Sequence, residues 1–447
     1  MLNTFMTTVN EKLNQAEDVV RASRLSLKET NASKLEILRE FILEYECSVR
    51  FYVDALWHGR FTEGNKILDV SQGLYDCPKF CPKIDFDSPL TGRALKCAQT
   101  QAIGIVKAVL NKRVKDENKF LWKREHGIKD EKLETRLANL PTMPEIKNLG
   151  CELNSIVAGV EGKNSANTFD LWLDVHSMFK NKRGLKIQLP LKKHSRFIHW
   201  EAKGTMLNSV LLKSNSVEIR FKVALPERKT EGTVVAIDQG IKACLTTSDS
   251  DLFKPYQNGR WDLDSIIKAL SKKKSGSKAF LRFVEFRRNY IGFIVNQLDL
   301  SNVKELKLEE IVNMKFGRNV SRQLKHFSNP LVRDALIKAC EEQGVLFTHV
   351  PNEFNSQRCN KCGWTQKSNR NSKVFKCKHC HHVADADENA TQNIKVRDQL
   401  FPLDKKFRFL KLNREGFFWN SKGIFNKNME EITVPSTTEK EIKNSES

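Results

Sequence analysis

Apolar side chains recur at helical spacing through much of the N-terminal part of the chain. They do so over residues 34–56 and again over residues 91–112. Side chains three and four positions apart share one face of a helix, so both stretches are predicted to be amphipathic helices. Residues 114–136 are highly charged and are predicted to form a solvated helical arm. We therefore expect residues 17–111 to be mostly helical.

The pattern changes to alternation after about residue 164. Apolar and polar residues alternate over residues 185–191 and again over residues 216–223. A period of two is typical of half-buried strands. Because no long helix lies between these stretches, the sequence favours a small β-barrel or sandwich here.

The following part of the chain alternates strands with helices. Apolar or alternating runs predict three strands, and helical spacing predicts two helices between them. In chain order these are a strand at 233–237, a basic helical stretch at 263–298, a strand at 305–308, a helix at 329–343 and a strand at 344–350. This order is typical of an α/β sheet.

Composition and charge narrow the class of protein. The chain has 447 residues, 40% of them hydrophobic, so we expect about three domains with buried cores rather than a disordered chain. It contains no run of about 18 apolar residues and no basic-then-apolar start, which argues against a membrane or secreted protein. The net charge is +21. A folded chain with such a charge most often binds a polyanion, commonly nucleic acid, and we expect a cytoplasmic location.

Four of the eleven cysteines form the strongest local motif. Cys359 and Cys362 make one CxxC pair, Cys377 and Cys380 make a second, and 14 residues separate the two pairs. Each pair places two thiolates on one tight turn, and two such turns complete a tetrahedral Zn²⁺ shell. We expect one structural zinc ion and otherwise reduced cysteines, since eleven are too few for a disulfide scaffold in a chain of this length.

A second zinc site near the N-terminus stays open. Cys77 and Cys81 lie close together in the sequence, with Cys47, His58 and Cys97 as candidate partners. Because this spacing is irregular, it assigns no ligands.

Acidic residues stand where predicted strands end and where a predicted helix begins. Asp238 and Glu309 each follow a predicted strand, and Asp385 and Asp387 lie just beyond the second CxxC pair. Carboxylates on three separate elements can hold two Mg²⁺ ions about 4 Å apart, which stabilise the attacking and leaving oxygens of a phosphodiester. The alternative is that each carboxylate caps a helix or lies in a solvated loop.

These motifs, in this order, resemble a known family. Residues 236–242 (AIDQGIK) and 308–311 (LEEI) resemble the first and second RuvC motifs of transposon-encoded TnpB proteins and of miniature type V CRISPR effector nucleases. Residues 355–363 (NSQRCNKCG), the second CxxC pair and residues 385–390 (DADENA) resemble the zinc ribbon that these proteins carry just before the third motif. The resemblance covers about residues 234–394.

The resemblance implies an RNA-guided, Mg²⁺-dependent DNA endonuclease with one RNase H-like (RuvC) site. It implies Asp238, Glu309 and Asp387 as the catalytic Mg²⁺ ligands, because the family's third aspartate stands two residues before Asn389. Two catalytic Mg²⁺ ions and one structural zinc ion are implied with it. The implied partners are a guide RNA and double-stranded target DNA, bound by a monomer or by an asymmetric dimer on one guide RNA.

A basic helical hairpin at about residues 263–298 stands where the family carries a Lys- and Arg-rich one. Its cations are the expected nucleic-acid-binding residues: Lys272, Lys273, Lys274, Lys278, Arg282, Arg287 and Arg288.

The expected fold class is α/β with additional α and β lobes. The expected domains are a helical recognition lobe (1–163), a β-barrel wedge (164–230), the first part of an RNase H-like mixed sheet (231–355), an inserted zinc ribbon (356–382), the last part of the nuclease domain (383–428) and a disordered acidic tail (429–447).

Two other functions stay open at this point. A nuclease-silent, RNA-guided DNA-binding repressor would normally have lost a metal ligand, and all three carboxylates are present. A strand-transferring transposase would use the same metal chemistry, but the inserted ribbon and the basic hairpin favour the guided nuclease. The sequence does not decide whether the guide RNA comes from a transposon end or a CRISPR array, and it does not give the flanking DNA motif.

Overall fold

A computed structural model describes nine ranges of the chain: residues 18–58, 86–125, 129–162, 168–182, 184–249, 261–311, 326–327, 329–403 and 412–432. The chain divides into two compact units, residues 18–224 and the described residues from 225 onward. Each unit has its own hydrophobic core. In the described ranges, no helix has both the length and the apolar character needed to cross a membrane.

The N-terminal unit contains the two helices that the apolar spacing predicts, α1 (Ala32–Trp57) and α2 (Gly92–Glu125). It also contains α3 (Glu131–Ala138), which overlaps the predicted charged arm, and α4 (Ser195–Lys203), which was not predicted. Asn31 begins α1, because its side chain accepts a hydrogen bond from the Lys34 backbone N–H. The first two helices pack together through their apolar faces, with Phe41 and Val106 fully buried between them and the strands.

Two antiparallel sheets complete the N-terminal unit. Its strands are β1 (Asp18–Ser26), β2 (Cys151–Leu153), β3 (Ala158–Gly162), β4 (Leu171–Val175), β5 (Ile187–Leu191), β6 (Gly204–Lys213) and β7 (Ser216–Ala224). One sheet has the order β1-β7-β6-β2 and the other has the order β3-β4-β5. Because β3 pairs with β4, the sheet continues across the predicted domain boundary at residues 163/164. A closed barrel stays a prediction.

The prediction of helix from residue 17 is wrong for residues 18–26. This segment is a strand that pairs with β7 from Asp18 opposite Ala224 to Ser26 opposite Ser216. Ser23 and Leu25 are buried, while Arg24 between them is exposed. The partner strand lies almost 200 residues away along the chain, so a local apolar pattern does not reveal the pairing.

The C-terminal unit is built on a four-stranded mixed sheet. Its strands are β8 (Thr233–Gln239), β9 (Leu245–Thr247), β10 (Val303–Glu309) and β11 (Leu346–Val350), in the order β11-β10-β8-β9. The strands β8, β10 and β11 are parallel, and β9 is antiparallel to β8. This arrangement confirms the predicted mixed sheet.

Helices cover both faces of this sheet. They are α5 (Leu263–Ser271), α6 (Lys278–Val295), α7 (Asn329–Gln343) and α8 (Ala386–Lys395). Side chains alternate across a strand, so Ile237 and Leu308 pack with α5, α6 and α7, whereas Ala236 packs with Ile394 of α8 on the other face. The same alternation directs Asp238 and Glu309 to the α8 face.

Two small sheets form between and after the cysteine pairs. Strands β13 (Arg370–Asn371), β14 (Val374–Lys376) and β15 (Val383–Asp385) form one sheet that leads directly into α8. The other consists of β12 (Trp364–Thr365), β16 (Phe417–Trp419) and β17 (Ile424–Phe425).

In the second sheet β12 pairs with β16, and β16 pairs with β17. The assignment of residues 383–428 to the last part of the nuclease domain stays a prediction. Phe425 also bridges Glu431, so the predicted disordered tail begins too early at residue 429. Residues 433–447 lie outside the described residues.

Candidate metal and nucleic-acid site

Two acidic residues stand side by side at the carboxyl edge of the mixed sheet. Leu308 of β10 is opposite Ile237 of β8 in parallel register, and Glu309 and Asp238 each follow one residue later. Neighbouring strands lie about 5 Å apart, and both side chains point to the α8 face. The fold therefore brings together two of the three predicted ligands, from segments about 70 residues apart.

The first turn of α8 distinguishes Asp387 from Asp385. Asp385 is the N-cap of the helix, and its carboxylate accepts hydrogen bonds from the backbone N–H groups of Asp387 at 2.8 Å and Glu388 at 3.2 Å. Asp387 is 7% exposed, and its charge acts on Asp238. The structure thus places Asp387 with the strand carboxylates and uses Asp385 to begin the helix.

The carboxylates of this group perturb one another. Burial, and then the charge of Asp387, raise the pKa of Asp238 to about 7. Burial, followed by the charges of Asp238 and Glu353, raises the pKa of Glu309 to about 8. Desolvation and like charges both disfavour the ionised form of a carboxyl group. A divalent cation bound among them would remove this penalty.

Two basic residues of the ribbon also reach the site. Arg370 donates from Nη2 to Asp387 Oδ1 at 3.0 Å, and the Lys373 ammonium donates to Asp387 Oδ2. The charge of Arg370 also lowers the pKa of Asp238 and Glu309. Sequence reasoning missed both, because nothing in the local pattern separates them from the other basic residues between the CxxC pairs.

A fourth carboxylate and a third cation lie near Glu309. Glu353 is 9% exposed and comes three residues after Val350, which is opposite Glu309 in the sheet. Arg397 is 4% exposed; burial lowers its pKa to about 10, while Glu353 and Glu309 act in the opposite direction. The Arg397 guanidinium lies 4.5 Å from the ring centroid of Trp419. Glu353 follows the predicted strand 344–350, so the strand-end rule that found Asp238 could have found it.

The four cysteines of the two CxxC pairs form one cluster. Their Sγ atoms all lie within 4.8 Å of one another. Cys359 is 3.7 Å from Cys380, and Cys362 is 3.6 Å from Cys377. Four sulfurs around a zinc ion, with Zn–S bonds of about 2.3 Å, lie about 3.8 Å apart in a tetrahedron. The donor set and its spacing fit zinc, so the cluster could bind one ion. Cys77 and Cys81 of the second candidate site lie outside the described residues.

Buried asparagines attach the ribbon to α8. Asn389 accepts a hydrogen bond from the Asn360 backbone N–H at 3.1 Å and donates to the Arg358 carbonyl at 2.8 Å. Arg358 in turn donates to Asn393 Oδ1 at 2.7 Å. All these contacts are made by the helix that carries Asp387. The first cysteine turn and the carboxylate site are therefore parts of one hydrogen-bonded body.

The seven predicted nucleic-acid-binding residues differ in exposure. Five are exposed, in α6 and in the turn that precedes it: Lys272, Lys274, Lys278, Arg282 and Arg288. Lys273 is half-buried, with its ammonium 4.6 Å from the ring centroid of Phe283. Arg287 is also half-buried and donates to the His326 carbonyl. Part of the predicted set is thus used in packing the hairpin.

Comparison with known proteins gives a family-model match within the C-terminal unit and several relatives. Residues 332–394 match the family model described as Cas12f1-like, TNB domain. The chain is 29% identical over 109 residues to the CRISPR-associated endodeoxyribonuclease Cas12f1 of Sulfoacidibacillus thermotolerans. This alignment covers 24% of this chain and 25% of that protein. It is 25% identical over 211 residues to the "Putative RNA-guided DNA endonuclease InsQ" of Escherichia coli (strain K12), covering 40% of this chain and 52% of that protein.

A solved structure, the cryo-EM structure of the Cas12f1–sgRNA–target DNA complex, aligns at 13% identity with a TM-score of 0.47, over 85% of this chain and 99% of that one. The matched stretches of the two curated relatives span about a quarter and about half of their lengths. Residues 332–394, which match the family model, include all four cysteines and Asp387. The resemblance to TnpB-like proteins and miniature type V CRISPR effector nucleases is confirmed.

Proposed function

We propose that this protein is an RNA-guided DNA endonuclease that hydrolyses phosphodiesters of target DNA at a single Mg²⁺-dependent site. The observation that carries the proposal is the convergence of Asp238, Glu309 and Asp387 from three separate elements onto one edge of the sheet. Two curated relatives are named as a CRISPR-associated endodeoxyribonuclease and as a "Putative RNA-guided DNA endonuclease".

The donor set fits Mg²⁺. All three proposed ligands offer carboxylate oxygens, which Mg²⁺ prefers, and they stand on rigid strand and helix ends. The raised pKa values of Asp238 and Glu309 support the same assignment, because both carboxyl groups are buried beside other carboxylates, where a divalent cation would favour their ionised forms. Bound there, two Mg²⁺ ions would supply a metal-activated water and charge stabilisation for the attacking and leaving oxygens.

The protein's own residues would then have separate tasks. Asp238, Glu309 and Asp387 hold the metals, and Asp385 fixes the orientation of the first turn of α8. Arg370, which lies among these carboxylates, is suited to bind a non-bridging phosphate oxygen of the scissile strand, since guanidinium groups match phosphate geometry. Arg370 is part of the zinc ribbon. The role of the ribbon in catalysis is therefore to position this arginine.

The net charge and the exposed basic residues support binding of guide RNA and target DNA. The net charge of +21 and the five exposed cations of the basic hairpin fit a phosphate backbone. In this class of complex base pairing reads the target sequence, while the protein holds the duplex by its shape and reads a short flanking motif. The proposal includes binding of one guide RNA either by one chain or by an asymmetric pair of chains.

Reconstitution with the protein's own RNA tests the proposal. RNA that copurifies with the protein is sequenced, and a double-stranded target that matches its guide segment is supplied with Mg²⁺. We expect cleavage by the wild type, no cleavage with EDTA or with Asp238→Asn, and retained guided binding by that variant. Guided binding without cleavage by the wild type would instead identify a repressor. Strand joining would identify a transposase.

A further inference from the structure

The carboxylate of Asp387 is already engaged by two cations. Arg370 contacts Oδ1 at 3.0 Å and Lys373 contacts Oδ2. A carboxylate oxygen that accepts a charge-assisted hydrogen bond from an ammonium group offers less electron density to a metal. Since Asp387 is a proposed metal ligand, the ammonium group and the metal ion compete for the same oxygen.

The position of Lys373 is built into the backbone. Val374 pairs with Asp385 between β14 and β15, and the Ala386 N–H donates to the Lys373 carbonyl at 2.9 Å. The sheet that leads into α8 therefore places Lys373 directly beside the first turn of that helix. The contact with Asp387 follows from this register, whereas Lys376, the last residue of β14, is exposed.

Lys373 and Arg370 are not equivalent. The Arg370 guanidinium also donates from Nε to the Ser372 carbonyl at 3.2 Å, which ties it to its own hairpin. The Lys373 side chain is 43% exposed, and its ammonium group is carried by a flexible four-carbon stem. Of the two cations, Lys373 is the one that can leave Asp387 for solvent or for a phosphate without a change of backbone.

We propose that Lys373 is a positioning residue that holds Asp387 in the metal-free protein and yields it when the metal binds. This inference rests on the proposed function, because it takes Asp387 as a metal ligand. Lys373 then opposes metal binding, and the site is loaded fully only at a higher metal concentration or when a phosphate draws the ammonium away. The lysine protects the site's carboxylates from repulsion while the metal is absent.

Binding of Mn²⁺ alone, without nucleic acid, tests the inference on the full chain. The free ion is followed by electron paramagnetic resonance in wild type, Lys373→Met, Lys373→Arg and the control Lys376→Met. We expect Lys373→Met to bind Mn²⁺ about two- to fivefold more tightly than wild type, as for competition with one partly exposed ion pair. Lys373→Arg and Lys376→Met should stay close to wild type. The rise in Tm on adding Mn²⁺ should be larger in Lys373→Met.

The outcomes separate the two claims. Unchanged or weaker Mn²⁺ binding by Lys373→Met overturns the role of the lysine, provided that Asp238→Asn has lost the binding seen in wild type. Absence of Mn²⁺ binding in wild type overturns the metal site itself, and the inference with it. Zinc content equal to that of wild type shows that the ribbon of the variant is folded; Lys373→Gln replaces the methionine variant if it is not.

Discussion

The carboxylate of Asp385 accepts a hydrogen bond at 2.8 Å from the backbone N–H of Asp387, two residues later in the same helix. One aspartate thus orients the turn from which the other projects. A cap stabilises a helix start by about 1 kcal/mol and needs only an oxygen acceptor, which asparagine also supplies. A metal ligand needs the negative charge itself. The two residues therefore differ in what a change from Asp to Asn removes.

Loss of one cysteine should release zinc and loosen the ribbon. Cys359→Ser removes one of four clustered sulfurs, and the free energy of zinc binding is also that of folding the cysteine turns. We expect metal analysis to give about one zinc per wild-type chain and less in the variant. The control is Cys340→Ala, a cysteine of α7 outside both candidate zinc sites; this variant should contain as much zinc as wild type. Zinc-free wild-type protein from metal-replete medium would contradict this assignment.

Zinc loss should also reduce DNA cleavage, because Asn389 of α8 accepts a hydrogen bond from Asn360 in the first cysteine turn. The effect should fall on cleavage more than on the affinity for guide RNA. Single-turnover rates and gel shifts on the same Cys359→Ser preparation separate the two. An unchanged cleavage rate would show that the ribbon and the carboxylate site are independent.

The exposed cations of the basic hairpin should contribute to nucleic-acid affinity by binding phosphates. Combined Lys272→Gln, Lys274→Gln and Lys278→Gln should weaken binding at all target sequences alike. The slope of log K against log salt concentration should fall by about one for each phosphate that the variant no longer neutralises. Arg287→Gln is the comparison: it should act mainly on stability, since Arg287 donates to the His326 carbonyl. A salt slope that is unchanged in the triple variant would remove these residues from the interface.

Burial of His349 should make the C-terminal unit less stable in mild acid. Its Nδ1 is buried and has no hydrogen-bond partner among the described residues. Burial, with a contribution from the charge of Arg333, lowers its pKa to about 4. The unfolded chain takes up this proton near pH 6.5 and the folded chain does not, so stability is full above about pH 6.5 and falls towards pH 4.

The loss should reach roughly 1–2 kcal/mol once the partial exposure of the ring is allowed for. Urea denaturation of wild type and His349→Leu at pH 7 and pH 4.5 measures it. The variant should lose less stability than wild type between these two pH values. An equal loss in both proteins would assign the acid sensitivity to other groups.

The sequence predicts the mixed sheet and its acidic edge well, for a physical reason. The run at 233–237 is mostly apolar and the run at 305–308 alternates, so both patterns indicate strands, and a carboxylate follows each of them at the sheet edge. The strand at residues 18–26 escaped prediction because its pairing with β7 is decided by tertiary contacts. Arg370 and Lys373 escaped because their role depends on the register of a short hairpin, and their residue types are common on any surface.

The most direct test of the metal-site assignment is single-turnover cleavage of a guided target at saturating Mg²⁺ by Asp387→Asn and Asp385→Asn. Asp387→Asn should lower the rate by several orders of magnitude, because it removes a metal ligand and with it several kcal/mol of transition-state stabilisation. Asp385→Asn should cut at a rate within about tenfold of wild type, since asparagine caps a helix nearly as well. An inactive Asp385→Asn beside an active Asp387→Asn would contradict the assignment.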